Sequence, residues 1–132
     1  MTNYAMYLQP ELAVSYCNIV SVTVEDRLGS HEMRNAVGAF WPFLCDPDRK
    51  LLHELEMVDT SEHRFGLVYV PYNFVLDGDR TIYKVYNGWW FLGKPTVEEL
   101  RMDFRALMSK RPDWEYTADW KPVRETGLKP EK

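Results

Sequence analysis

The chain has little cysteine: two thiols among 132 residues, Cys17 and Cys45, which lie far apart in the sequence. Small secreted domains are usually held together by several disulfides, so this content argues against that class. The first ten residues also lack the basic and long apolar segments of a signal peptide. We therefore expect a cytoplasmic protein.

Long apolar runs and an excess of basic charge are missing as well. No segment approaches the roughly 20 apolar residues of a membrane span, so we expect no membrane partner. Asp and Glu number 20 and Lys and Arg 16, which gives a net charge of −4. A nucleic-acid-binding surface needs a basic patch to displace counterions from phosphates. We therefore expect no nucleic-acid partner either.

The sequence does contain enough apolar residues, 45% of the total, for one domain with a hydrophobic core. Aromatic residues make up 14%, and in a domain this small some of those rings are expected at the surface or in an interface. We predict one domain over residues 1–110, followed by a polar, proline-containing extension over residues 111–132.

Apolar periodicity predicts the order strand, helix, short extended segment, helix, strand, strand, helix, an α/β arrangement. The first strand is expected over residues 14–24, whose centre is apolar enough to be covered on both faces. Ser30 is the expected N-cap of the first helix, and Asp46 caps a second that begins at Pro47. The second helix is expected to face inward through Leu51, Leu52 and Leu55.

A hairpin and a helix are the clearest features of the second half. Residues 73–76 and 81–86 have the pattern of two strands, joined by a tight turn over residues 77–80. Thr96 and Glu99 have the spacing of a capping box at the start of the last helix. Its apolar stripe consists of Val97, Leu100, Phe104, Leu107 and Met108.

Three segments carry a resemblance to a known family: residues 16–22 (YCNIVSV), 41–50 (WPFLCDPDRK) and 70–77 (VPYNFVLD). Over residues 8–110 or so the chain is similar to the peroxiredoxin branch of the thioredoxin superfamily, the alkyl hydroperoxide reductase/thiol-specific antioxidant type. The resemblance implies a thioredoxin-like fold, with three layers around a central mixed sheet. It also implies reduction of hydroperoxides by a cysteine, through a sulfenic acid that a thiol reductant restores, without a cofactor.

The N-terminal part departs from the family pattern. In that family, a first strand leads to a Pro-x-x-x-Thr/Ser-x-x-Cys loop that holds the peroxidatic cysteine. Neither the strand nor the loop is present in this sequence. The resemblance implies that the missing strand is the central one, between those at residues 14–24 and 73–76. Its neighbours' backbone groups need partners. Three arrangements would supply these hydrogen-bond partners: direct re-pairing of those two strands, a strand from a partner chain, or a longer native protein.

The two cysteines are the candidate catalytic residues. Cys45 immediately precedes the expected cap of a helix, whose dipole favours a thiolate, so it is the better candidate for a reactive thiol. The alternative is that Cys45 is a small structural residue. Cys17, inside the predicted strand, is expected to be buried and inert. A disulfide between them depends on a distance that the sequence does not give.

Three further residues belong near the expected active site. The resemblance implies a cis peptide bond before Pro71. Tyr72 and Asn73 occupy positions where peroxiredoxin-like proteins often carry an Arg or Thr beside the thiol. We expect no metal site, because the histidines are widely spaced and have no paired ligands beside them. They are His31, His53 and His63.

Two functions remain open from the sequence. The first is a thiol-dependent antioxidant protein of the peroxidase family, with a small thiol or a thioredoxin-like protein as its reductant. The second is a catalytically silent thioredoxin-like module that acts by association. The second would form a homodimer through the aromatic segment between two glycines, because exposed aromatic clusters make interface hot spots. That segment contains Trp89, Trp90 and Phe91.

Overall fold

The computed structural model describes residues 1–59, 68–88 and 93–110. Its first half contains a π-helix, Tyr4–Leu8, that continues into α1, Gln9–Leu12, then β1, Ser21–Thr23, α2, Arg27–Val37, β2, Phe43–Cys45, and α3, Lys50–Glu54. Its second half contains β3, Val58–Asp59, β4, Val68–Tyr69, β5, Tyr72–Leu76, β6, Ile82–Asn87, and α4, Val97–Met108. The protein is mixed α/β, as predicted.

The strands in the described residues form three separate two-stranded sheets. β1 pairs with β2 in parallel, whereas β3 with β4 and β5 with β6 are antiparallel. In this part of the chain the sheets do not join into one central sheet. β1 and β5 are not paired with each other, so direct re-pairing of these two strands is not the arrangement that the structure adopts.

The first strand is much shorter than predicted. β1 contains Ser21–Thr23, while the chain turns over residues 13–16 and Tyr16 takes a left-handed conformation with φ of 57°. Val20 and Val22 remain 54% and 46% exposed, so this apolar run is not covered on both faces. An apolar run alone does not fix the length of a strand, because a strand also needs a paired neighbour.

Helix α2 begins earlier than predicted, and its cap is Asp26 rather than Ser30. The Asp26 carboxylate accepts a hydrogen bond of 2.8 Å from the Gly29 N–H, which satisfies a free donor of the first turn. Ser30 is buried inside the helix and contacts Thr23 instead. The helix ends at Gly38, whose φ of 72° is the left-handed conformation typical of this position.

Helix α3 begins later than predicted. It starts at Lys50, and the Asp46 carboxylate accepts from the N–H groups of Lys50 and Leu51 at 3.0 and 2.9 Å. The predicted inward face is wrong for Leu51 and Leu55, which are exposed, while Leu52 is half-buried. A helix of one turn presents too little surface for a full apolar stripe to be covered.

The hairpin and the last helix are confirmed. The Asp77 carboxylate accepts from the N–H groups of Asp79 and Thr81 in the turn between β5 and β6. At the start of α4, Thr96 Oγ1 accepts from the Glu99 N–H at 3.2 Å. The Glu99 carboxylate accepts in return from the Thr96 N–H at 2.7 Å, which completes the predicted capping box.

The N-terminal helical segment lies at the centre of the core. Leu8 and Leu12 pack with Val75 of β5 and Leu100 of α4 in one cluster. A second cluster contains Ala5, Ala39 and Trp41. Tyr4 and Ile19 are packed against both clusters. The segment therefore connects the β1–α2–β2 half of the structure with the β5–β6–α4 half.

Some predictions fall outside the described residues. These are the extension over residues 111–132 and the aromatic segment with Trp89, Trp90 and Phe91. Among the helices that the structure describes, none is both long and apolar enough to cross a bilayer.

Candidate functional site

A surface cavity of about 560 Å³ lies between α2 and β2, and Cys45 forms part of its wall. Because β1 and β2 run parallel, the chain must cross over between them, and α2 is that crossover. The helix covers one face of the strand pair and supplies most of the cavity wall. The lining residues are Arg27, Leu28, Ser30, His31, Arg34, Phe43 and Cys45.

The Ser30 hydroxyl on α2 links the side chain of Cys45 on β2 with that of Thr23 on β1. Thr23 and Cys45 are opposite each other in the β1–β2 register, and both side chains reach the Ser30 hydroxyl on α2. The Cys45 Sγ–H donates to Ser30 Oγ at 3.3 Å, and Thr23 Oγ1 lies 2.5 Å from the same atom. A hydroxyl can rotate its proton, so Ser30 can also donate to Cys45 once the thiol has lost its proton.

Two arginines and a histidine line the cavity on the helix side. Arg27, His31 and Arg34 are spaced i, i+4 and i+7, which places them on one face of α2. No carboxylate is among the described residues that line the cavity. In a protein of net charge −4, this wall therefore has the opposite charge to the chain as a whole.

The two arginines differ in how they are held. Arg34 donates from Nε to the Ala39 carbonyl at 3.2 Å and from Nη2 to the Phe40 carbonyl at 2.9 Å, so its guanidinium is fixed at the end of α2. Arg27 is exposed and forms no ion pair with a carboxylate of the described residues. A ligand can therefore reach Arg27 without displacing a carboxylate of the described residues.

Cys45 lies in an extended segment, as predicted, but in a different electrostatic setting. Its side chain is exposed at the end of β2. The expected helix dipole does not act there, because α3 begins only at Lys50 and the Asp46 carboxylate occupies its first free N–H groups. The positive groups that line the same cavity as Cys45 come instead from α2, and they include Arg27 and Arg34.

Cys17 has a different environment from the one predicted. It precedes β1 rather than lying inside a strand, because the chain is still leaving the turn at Tyr16. Its side chain is half-buried against the core cluster that includes Leu8, and Sγ–H donates to the Ser15 carbonyl at 3.3 Å. Cys17 does not line the cavity, and no disulfide joins it to Cys45.

The three residues expected near the thiol lie on another element. The peptide bond before Pro71 is trans, so the predicted cis bond is wrong. The backbone remains extended around it: the Val70 N–H donates to the Met57 carbonyl, and the Pro71 carbonyl accepts from the Gly88 N–H. The hydrogen bonds on both sides of Pro71 are thus formed with the trans bond, which X–Pro sequences favour by about 0.5–1 kcal/mol. Pro71 itself is exposed.

Tyr72 and Asn73 belong to the β5–β6 hairpin and do not line the cavity. The Tyr72 hydroxyl accepts from Asn87 Nδ2 at 3.1 Å, and its ring stacks on Phe74 with centroids 5.9 Å apart. These contacts stabilise the hairpin. The structure therefore brings together Cys45 and α2, and not Cys45 and the residues at the start of β5.

A polar cluster between β6 and α4 was not predicted from the sequence. Asp103, on α4, is buried and accepts from the Tyr86 hydroxyl at 2.6 Å and from Lys84 Nζ at 3.3 Å. Burial and the hydrogen bond to Asp103 raise the pKa of Tyr86 above its usual value. Lys84 and Tyr86 alternate along β6, and such alternation is the sequence signal that they share one face.

The remaining histidines do not gather into a metal site. Over residues 1–59, 68–88 and 93–110, no three residues of the types His, Cys, Asp and Glu are grouped closely enough to hold a metal ion. His31 lines the cavity, and His53 contacts the Tyr69 ring edge-on. His63 lies outside the described residues.

Comparison with known proteins gives no assignment. No family model matches the chain, and a search of the curated proteins found no similar protein. The peroxiredoxin-like resemblance therefore depends on the three sequence segments described above.

Proposed function

We propose that this protein is a thiol-dependent redox protein of the peroxiredoxin-like type, with Cys45 as its reactive thiol. The observation that carries the proposal is the cavity between α2 and β2, in which an exposed thiol shares its surroundings with Arg27 and Arg34. Neighbouring cations stabilise a thiolate, which is the nucleophilic form of cysteine. Ser30 supplies a hydroxyl that can donate to the same sulfur.

The reaction that this arrangement supports is reduction of a hydroperoxide. The Cys45 thiolate attacks one peroxide oxygen, the O–O bond breaks, and the other oxygen leaves as an alcohol or water after it takes up a proton. Cys45 becomes a sulfenic acid. A thiol reductant then forms a mixed disulfide with release of water, and a second thiol restores Cys45 as the reductant leaves as a disulfide. The arginines stabilise the negative charge that develops on the leaving oxygen.

The thioredoxin-like fold and the cytoplasmic location belong to the same proposal. The parallel β1–α2–β2 unit and the β5–β6 hairpin followed by α4 are elements that such a fold contains. A reducing compartment would keep Cys45 available as a free thiol. Pro71, Tyr72 and Asn73 have no role in this proposal, because they do not line the cavity.

The test uses the reduced full chain, hydrogen peroxide and a sulfenate-trapping reagent, with the modified cysteine identified by peptide mass. We expect Cys45 to be trapped faster than both Cys17 and a free thiol in solution. Cys45→Ser removes the signal, and Cys17→Ser provides the matched control that retains it. Trapping of Cys45 at the rate of the free thiol would refute the proposed peroxidase activity.

A second candidate function, association with another copy of the chain, is favoured by the outer face of the hairpin. Phe74 lies opposite Val85, and Leu76 opposite Ile82, on the face that points away from buried Val75. All four side chains are at least 36% exposed. β6 ends at Asn87, two residues before the aromatic segment that the sequence predicts to form a dimer interface.

Sedimentation of the full chain tests this candidate. If the outer face forms a dimer, Val85→Lys is expected to shift the chain towards the monomer, because a charge would be buried in the contact. Thr81→Lys, at an exposed position just before β6, is the matched control and is expected to leave the assembly unchanged. A wild-type chain that stays monomeric over the accessible concentration range would contradict the association function.

A further inference from the structure

We infer that the Cys45 cavity selects small thiols and disulfides that carry carboxylates. This inference deepens the proposed function and depends on it, since it assumes that Cys45 is reactive. It specifies the chemical class of the molecule that exchanges with Cys45. The observations that support it are the charge, the size and the arrangement of the cavity wall.

The charge of the wall favours an anion. Arg27 and Arg34 carry positive charge on the helix side, and none of the lining residues that the structure describes is acidic. Arg27 has no ion-pair partner in the described parts of the chain, so a carboxylate can pair with it directly. A guanidinium can hold a carboxylate by two parallel hydrogen bonds, which a single ammonium does not do.

The size and the lining fit a short organic molecule. A volume of about 560 Å³ lies within the range of small-molecule sites, roughly 300–1,000 Å³. Leu28 and Phe43 supply apolar surface for a carbon chain. The thiol is on β2 and the cations are on α2, so a ligand that spans the cavity presents its sulfur to one wall and its carboxylate to the other.

The covalent step is thiol–disulfide exchange. The Cys45 thiol releases its proton to solvent, and the thiolate attacks one sulfur of the carboxylate-bearing disulfide. A new bond forms between Cys45 and that sulfur, the original S–S bond breaks, and the second half of the ligand leaves as a thiolate. The Cys45 sulfur is oxidised to a mixed disulfide, and the leaving sulfur is reduced.

Three aliphatic disulfides of similar size provide the test: dithiodipropionate, which is anionic, bis(hydroxyethyl) disulfide, which is neutral, and cystamine, which is cationic. The reduced full chain reacts with each, and peptide mass assigns the rate to Cys45 or Cys17. Each rate is divided by that of a neutral free thiol, which removes the intrinsic reactivity of the reagent. Near a water-exposed surface one charge changes such a rate by about two- to threefold.

We expect Cys45 to react at least about tenfold faster with the anionic than with the cationic disulfide, because the two arginines attract the first reagent and repel the second. Arg27→Gln is expected to lower this preference about four- to ninefold. Arg105→Gln, which removes an exposed arginine of α4, is the matched control and leaves the preference unchanged. At about 1 M salt the preference of the wild type should largely disappear, since charges are then screened beyond about 3 Å.

The outcomes separate this inference from the proposed function. Reaction of Cys45 with all three disulfides at equal normalised rates would overturn the selectivity and leave a reactive Cys45. Slow reaction with all three, at or below the rate of Cys17, would overturn the proposed function and this inference together. An equal loss of preference in Arg27→Gln and Arg105→Gln would show that total charge, and not the cavity, sets the rate.

Discussion

Replacement of Leu8 by Ala tests whether the N-terminal helical segment is part of the core. Leu8 is 1% exposed and belongs to the cluster formed with Leu12, Val75 and Leu100. Leu-to-Ala changes at such positions lose the transfer free energy of the removed methyl groups and leave a cavity, together about 3–5 kcal/mol. We expect Leu8→Ala to lower the free energy of unfolding by that amount.

A loss of this size is a large part of the total stability of about 5–15 kcal/mol expected for one domain. At this chain length each kcal/mol corresponds to roughly 3–5 °C, so the Tm should fall by about 10–20 °C. Urea unfolding followed by circular dichroism gives the free energy of unfolding. The comparison holds when this free energy falls with urea concentration at the same slope in the wild type and in Leu8→Ala.

Met6→Ala is the matched control. Met6 lies on the same short helix, Tyr4–Leu8, but its side chain is 59% exposed. Leu and Met have similar helix propensities, so the gain in helix propensity on replacement by Ala is nearly the same in Leu8→Ala and Met6→Ala. It therefore cancels when the two variants are compared. We expect Met6→Ala to cost less than about 1 kcal/mol. Equal costs for the two variants would refute the placement of this segment between the two halves of the structure.

Three smaller predictions concern α4 and the hairpin. Thr96→Ala should cost about 1 kcal/mol in urea unfolding, because it removes the hydroxyl of the capping box. Asp103→Ala should cost about 1–3 kcal/mol by leaving the Tyr86 hydroxyl without its partner, and Asp103→Asn, which keeps an acceptor, should cost less. Since the folded-state pKa of Tyr86 is raised, its contribution is complete below pH about 10 and is lost as the pH rises through that pKa. Tyr86→Phe should reduce this alkaline loss of stability in a pH series, and an unchanged loss would contradict it.

Local patterns with a defined spacing were the most predictive features of the sequence. The hairpin and the capping box of Thr96 and Glu99 each depend on residues within a few positions of one another. The interaction that forms each pattern is local, so its geometry is already present in the sequence. For the same reason the inward face of α4, with Leu100 at its centre, was predicted correctly.

Features that depend on distant partners were not predictable in the same way. Residues 14–24 look like a strand, but only Ser21–Thr23 find a neighbour in β2. The cap of α2 shows a different problem, since Ser30 and Asp26 are both good caps and the choice between them depends on packing. Ser30 is held inside the helix because its hydroxyl contacts Thr23 on β1, a contact that no local pattern specifies.

The misplaced start of α2 also explains why the cavity was not predicted. With the helix beginning after Ser30, Arg27 lies outside it, and the stripe of Arg27, His31 and Arg34 cannot be recognised. With Asp26 as the cap, the three residues share one face, and the parallel pairing of β1 with β2 then places Cys45 beside that face. The prediction that Cys45 is the better candidate for a reactive thiol was argued from the start of α3, whereas the arginines that line its cavity belong to α2. The first N–H groups of the one-turn helix α3 are already bound by Asp46, whereas Arg27 and Arg34 bring two positive charges to the cavity that Cys45 lines.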